Sequence, residues 1–131
     1  IMSYANNPMI YYDYERREII ISVNNCKNNN DNQIECNEKI IYRTNEILYQ
    51  KWNNFIINYN YGTLDIFINS NLVATEKNIS PYITENKNIL QFGNSQEPLI
   101  NSGICNINYY EKPLNLNQIK DIYKNKNNPC H

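Results

Sequence analysis

Apolar and β-branched residues gather along this chain in short runs set between Asn, Gly and Pro. The runs are Met9 to Tyr14, Ile19 to Val23, Lys39 to Arg43, Phe55 to Tyr59, Leu64 to Ile68, Leu72 to Thr75, Ile89 to Phe92 and Ile104 to Tyr110. Runs of this length bounded by turn-forming residues predict strands, and their close recurrence predicts an all-β fold, an antiparallel β-sandwich. In Leu64 to Asn69 the two-residue period puts Leu64, Ile66 and Ile68 on one face and Asp65, Phe67 and Asn69 on the other. Ile104 to Tyr110 alternates less cleanly. Tyr61-Gly62 reads as a hairpin turn, and Ser70-Asn71 as a tight turn joining the next pair.

Near the end the period changes. Leu116, Ile119 and Tyr123 fall at i, i+3 and i+7 with Ile122 beside them, which predicts a short C-terminal helix over about 116–124 with one apolar face. Asn115 is placed to cap it, Gln118 completes a capping box, and Pro113 keeps the approach extended. The helix is expected to pack on the sandwich as a lid. No repeat or shift of composition divides the 131 residues, so residues 1–131 are read as a single domain.

Charge is balanced, with 12 Lys plus Arg against 13 Asp plus Glu, so nothing steers the chain towards nucleic acid. No apolar run approaches the roughly 18–20 residues of a membrane span. Unless the start was trimmed or processed, a first residue of Ile1 carries the expectation that the sequence was cut from a longer protein, whose signals or membrane anchor would lie upstream. Asn-rich stretches such as Asn28 to Asn30 and Asn125 to Asn128 read as polar loop, and the bias to Asn, Ile and Lys as the imprint of an A/T-rich genome.

Four cysteines, Cys26, Cys36, Cys105 and Cys130, make an even set without the Cys-x-x-Cys pairs usual in zinc sites. Cys26 bonded to Cys36 would staple a hairpin end across the loop Lys27 to Glu35, and Cys105 bonded to Cys130 would tie down the C-terminal tail. Four free thiols in a reducing compartment are the alternative, and a zinc site using Cys130 and His131 is a third.

Trp52 to Tyr59 followed by Leu64 to Val73 resembles the central signature of laminin-G-like domains of the concanavalin-A-like lectin/glucanase superfamily. There a Trp opens a strand, and a hairpin follows whose second strand reads roughly L-x-[VI]-Y-[VI]-N-G-x-L-V. Leu90-Gln91-Phe92-Gly93 is similar to a later strand of that family, and Gly103 to Leu114 running into Asn115 to Tyr123 is similar to its closing strand and helix. The resemblance covers residues about 40–124 in good order and 8–23 more loosely. It implies a jelly-roll sandwich; Trp52, the sole Trp, reads as a core anchor at a strand start, with a ligand platform as the alternative. Asn69-Ser70-Asn71 replaces the family's Asn-Gly turn, which leaves an Asn to supply the positive φ. The form Gly103-Ile104-Cys105-Asn106-Ile107 with Tyr109-Tyr110 and Lys112-Pro113-Leu114 is similar to versions in virion or surface proteins of large nucleocytoplasmic DNA viruses. The family's opening strand has no match, so the domain is expected to lack an N-terminal strand, supplied by upstream sequence or by a neighbour.

Candidate chemistry is sparse. Glucanases of this superfamily carry an E-x-D-x-x-E strand motif that sets carboxylates on one face, and no such spacing occurs. Asp13, Glu15 and Glu18 read as an exposed hairpin end. His131, the sole histidine, sits at the chain end, where a preorganised dyad is not expected. Neither catalytic residues, cofactor nor metal are assigned, and calcium is not assigned because Asp13, Asp31, Asp65 and Asp121 show no ligand pattern. Among the 12 Tyr, Tyr11, Tyr12, Tyr59 and Tyr61 are the candidates for a ligand surface, against the plainer reading that Tyr stands for Phe in the strands. Asn78-Ile79-Ser80 is an N-glycosylation acceptor, followed unfavourably by Pro81. The functional expectation is a non-catalytic structural or protein-interaction module displayed on a virion or on an extracellular or secretory surface. A glycan-binding, lectin-like module is the alternative, and a hydrolase using Asp13 or Glu15 a distant third.

Overall fold

The computed structural model of the chain describes residues 2–4, 7–28, 34–79, 89–93 and 103–125. Eight strands and a helix follow in order: β1 (Met2–Tyr4), β2 (Met9–Asp13), β3 (Glu18–Asn28), β4 (Ile34–Thr44), β5 (Phe55–Asn60), β6 (Thr63–Ile68), β7 (Asn71–Lys77), β8 (Leu90–Phe92) and α1 (Leu116–Lys124). They form a five-stranded sheet, β4-β3-β2-β1-β8, and a three-stranded sheet, β5-β6-β7. Among the described residues every pairing is antiparallel. The fold is the expected all-β sandwich with a short C-terminal helix.

Alternation explains how the sheets join. Ile10 of β2 and Ile19 and Ile21 of β3 share one face of the larger sheet and pack with Ile66 and Ile68 of β6. Val23 and Leu64 continue this layer with Ile79. Ile21 and Ile66 are fully buried, and burying such side chains contributes about 1.5–3 kcal/mol each. Phe67, on the other face of β6, is buried as well. On that face Asn58, opposite Asp65, accepts a hydrogen bond from Leu114 N and donates one to Leu114 O, which fastens the approach to α1 there. The cap forms as expected: Asn115 Oδ1 accepts from Gln118 N, and Gln118 Oε1 accepts from Asn115 N. Ile119 is buried, Ile122 and Tyr123 are half-buried and Leu116 is exposed, so the helix buries a narrower stripe than its pattern implied.

Both hairpins of the smaller sheet turn on two residues of positive φ, Tyr61-Gly62 and Asn69-Ser70, the combination that matches strand twist in two-residue hairpins. The second turn thus sits one residue before the expected Ser70-Asn71. Asn69 tolerates the left-handed region and uses its side chain as well, accepting from Asn54 N and donating to Asn53 Oδ1.

Three expectations are corrected. Residues 104–110 form no strand, because Asn106 adopts φ 51° and Asn108 Nδ2 donates to Asn106 O, a local bond that competes with a ladder. Trp52 is no core anchor. It is 54 % exposed in the turn before β5 and lies against Gly103, where a Cβ would approach Cη2 to 3.1 Å, while Phe55 takes the inward position at the strand start. Finally, β3 does not stop at Val23 but continues to Asn28, and β4 begins at Ile34 and not at Lys39, so both reach into the segment Lys27 to Glu35 read as loop.

Candidate interaction site

The extension of β3 and β4 makes the most distinctive surface of the described residues. β2 pairs with β3 from Glu18 to Ser22, whereas β3 and β4 stay paired through Asn28 and Ile34. Residues 24–28 and 34–38 therefore form a two-stranded ribbon running past the end of β2. Isolated two-stranded ribbons are at best marginally stable in water. Here Cys26 and Cys36 are directly opposed and bonded, with Cα atoms 4.1 Å apart. The expected pairing is present, and it lies inside a ladder that continues to Asn28 and Ile34. Cys105 is disulfide-bonded too, and Cys130, its expected partner, lies outside the described residues.

The core-facing side of β3 passes from Ile21 and Val23 to Asn25 and Lys27, and the matching β4 positions are Lys39, Asn37 and Glu35. Apolar packing ends there, and amides and charges of both signs continue the face. Lys39 marks the junction by pairing with Glu76 of β7 at 2.7 Å across the two sheets. A shallow depression of about 310 Å³ is lined by Asn25, Lys27, Glu35, Asn37, Glu38 and Lys39. Asn37 Nδ2 donates to Glu35 Oε1 at 3.4 Å.

On the opposite face the ribbon is anchored at its base. Asn24 N donates to Asn7 Oδ1 at 2.7 Å, and the Tyr11 hydroxyl donates to Glu38 Oε1 at 3.1 Å. Tyr11 belongs to β2 and Glu38 to β4, so this bond crosses the intervening strand β3. Burial, and then the hydrogen bond to Glu38 and its charge, push the Tyr11 phenol above its ordinary value.

The tyrosine candidates do not converge. Tyr11 braces the ribbon, whereas Tyr12 points to the other face and packs against the core, edge-on to Tyr14 at 5.1 Å. Tyr59 and Tyr61 lie at the β5–β6 turn, where the Tyr59 hydroxyl donates to Ile79 O and Tyr61 is 99 % exposed. Asn78 is exposed, and the Ser80 of its acceptor tripeptide lies outside the described residues.

Asp13 caps a turn by accepting from Glu15 N and Arg16 N, and Glu18 pairs with Arg43 at 3.9 Å. These carboxylates shape a hairpin end. Among the described residues no three His, Cys, Asp or Glu side chains group to hold a metal ion, and no helix is long and apolar enough to cross a membrane. The chemistry the ribbon offers is hydrogen bonding and charge pairing on a rigid support.

No protein-family model matches the chain. No curated protein matches it. Among solved structures it is similar to an S-layer domain-containing protein from Clostridium thermocellum, with 11 % identity and a TM-score of 0.42, covering 89 % of this chain and 63 % of the other. This chain thus spans less than two thirds of that structure's length.

Proposed function

We propose that this domain is a non-catalytic structural or interaction module, displayed on a cell or virion surface, that engages protein partners through its stapled ribbon. One observation carries the reading: a disulfide rigidifies a polar projection that contributes little to the apolar core. A covalent staple there maintains the shape of a surface, and ordering it in advance lowers the entropic cost of binding. Disulfides persist in oxidising settings, which supports an extracellular or secretory location. The hairpin β6–β7 and the capped closing helix support kinship with laminin-G-like domains; the irregular course of 103–114 speaks against a close one.

A photo-crosslinking residue at Asn37, with the protein on its native surface, should give protein adducts, and one at Lys120 of the helix should not. Equal adducts from both positions would overturn the reading. The glycan-binding alternative has its own observation, the exposed Tyr61 beside Tyr59 at one turn. Saturable binding on a glycan array that is lost in Tyr61→Ala would replace the first reading with the second.

A further inference from the structure

β4 ends its sheet, and among the described residues no strand lies beyond it. Proteins commonly blunt such an edge with a bulge, a Pro or a covering segment. A bulge does interrupt β4 at Ile41, between the pairs Ser22–Ile40 and Ile21–Tyr42. From Ile34 to Ile40 the strand is regular and contains no Pro. The 4.1 Å Cα separation at Cys26–Cys36 is that of a closely spaced, non-hydrogen-bonded pair. The backbone N–H and C=O of Cys36 therefore turn away from β3, and by the two-residue period so do those of Ile34, Glu38 and Ile40. Asn24 agrees, since it is the partner of Glu38 and its N–H goes to Asn7 instead of β4.

We propose that this edge pairs with the same edge of a second copy of the chain, antiparallel about a two-fold axis through Asn37. The proposal rests on reading the ribbon as an interaction site and names its partner. The axis stands perpendicular to the sheet, so opposed side chains share a face only when a register is centred on a residue. Centring on Asn37 sets Ile34 against Ile40, Glu35 against Lys39 and Asn37 against its own copy, each unlike pair occurring twice. Centring on Glu38 or Lys39 would set like charges face to face, which is unfavourable. Centring on Cys36 would set Ile34 against Glu38. Ile34 and Ile40 are exposed in the single chain and gain a mutual apolar contact. Lys39 already pairs with Glu76, but an ammonium has three donors and can serve a second carboxylate. The paired halves project beyond β2, so the two sandwiches lie at opposite ends of the shared ribbon.

Sedimentation velocity of the full chain from micromolar to millimolar concentration tests this. The wild type should self-associate reversibly, more strongly at low salt. Glu35→Lys and Lys39→Glu should each weaken association about tenfold or more, because each sets like charges against one another at two symmetric positions. An equimolar mixture of the two variants restores opposite charges at every pair and should recover association as a heterodimer, a result that misfolding cannot imitate. A wild type monomeric at millimolar concentration overturns the proposal, as does a mixture no stronger than its components. Adducts from Asn37 to another protein would then still support the ribbon's wider role, so the two failures are distinguishable.

Discussion

The β6–β7 and β3–β4 hairpins are both antiparallel pairs with a bulge, yet they hold their register in different ways. In β6, Leu64, Ile66 and Ile68 are buried on one face and Phe67 on the other, and a slip of one residue would move each of them to the opposite face, away from its packing partners. A two-residue turn at Asn69-Ser70 closes that hairpin. The outer half of β3–β4 has no such pattern: Asn24, Asn25, Lys27, Glu35, Asn37 and Glu38 would be equally at home in several registers. One covalent bond, Cys26–Cys36, fixes it instead. Where burial specifies a strand pair, the sequence is constrained at every second position; where a disulfide does so, the remaining positions are free to carry binding chemistry.

Truncation to Ala should separate the two hairpins most sharply. Ile66→Ala should cost about 3–4 kcal/mol in a urea melt, through lost burial and the cavity left behind, while Asn37→Ala should stay within about 0.5 kcal/mol. Equal losses would mean that the ribbon is as much part of the core as β6.

Replacing both Cys26 and Cys36 with Ser should come next, costing at most about 2–3 kcal/mol, the loop-entropy value for a loop of this size. Hydrogen exchange should show protection lost at the ladder amides of Asn25, Lys27, Glu35 and Asn37 and kept between Met9 and Ser22. Loss of protection throughout the larger sheet would show the two halves of β3 to be one cooperative unit.

Ser70 occupies φ 67° with a Cβ that disfavours it. Ser70→Gly should therefore stabilise the β6–β7 hairpin by about 0.5 kcal/mol, after allowing for the greater freedom of Gly in the unfolded chain. Destabilisation in a thermal melt would show that the Ser70 hydroxyl matters more than its backbone.

The smallest effect concerns the brace at the ribbon's base. The Tyr11 phenol is raised above its ordinary 10.0, so the folded state favours the protonated form. That contribution is full below pH about 10 and is lost as pH rises through the folded value. Tyr11→Phe should flatten this part of the melting temperature's fall as pH rises above about 10. Superimposable wild-type and variant profiles would show the Tyr11–Glu38 bond to be energetically silent.

Seven of the eight strands among the described residues were legible because their apolar and β-branched residues cluster in strand-length runs between Asn, Gly and Pro, and the helix because a capping box precedes an i, i+3 pattern. β1, three residues long, carried too little pattern to be read. The ribbon was hidden because Asn is a poor strand former, so the strand runs were ended at Val23 and begun again at Lys39, with Lys27 to Glu35 read as loop. A cross-strand disulfide outweighs that propensity, and only the even placement of Cys26 and Cys36 hinted at it. Ile104 to Tyr110 misled in the opposite sense: its apolar residues promised a strand, but Asn106 and Asn108 satisfy backbone and side chain locally. Trp52 was misplaced because a large aromatic usually signals burial, and nothing in its neighbours showed that Phe55 would occupy the inward position.

β8 returns from the far part of the chain to lie against β1, with Met2 opposite Phe92. The meander β1 to β4 can assemble from neighbouring segments as the chain leaves the ribosome, but its flank stays open until residue 92 has been made. Closing so long a loop adds only about 0.6 kcal/mol for each doubling of its length. Its larger effect falls on timing, because pairings distant in sequence form slowly. For that interval the nascent sheet presents two unsealed margins, the β1 side and β4, and whatever meets it during synthesis can reach both before the chain closes one of them.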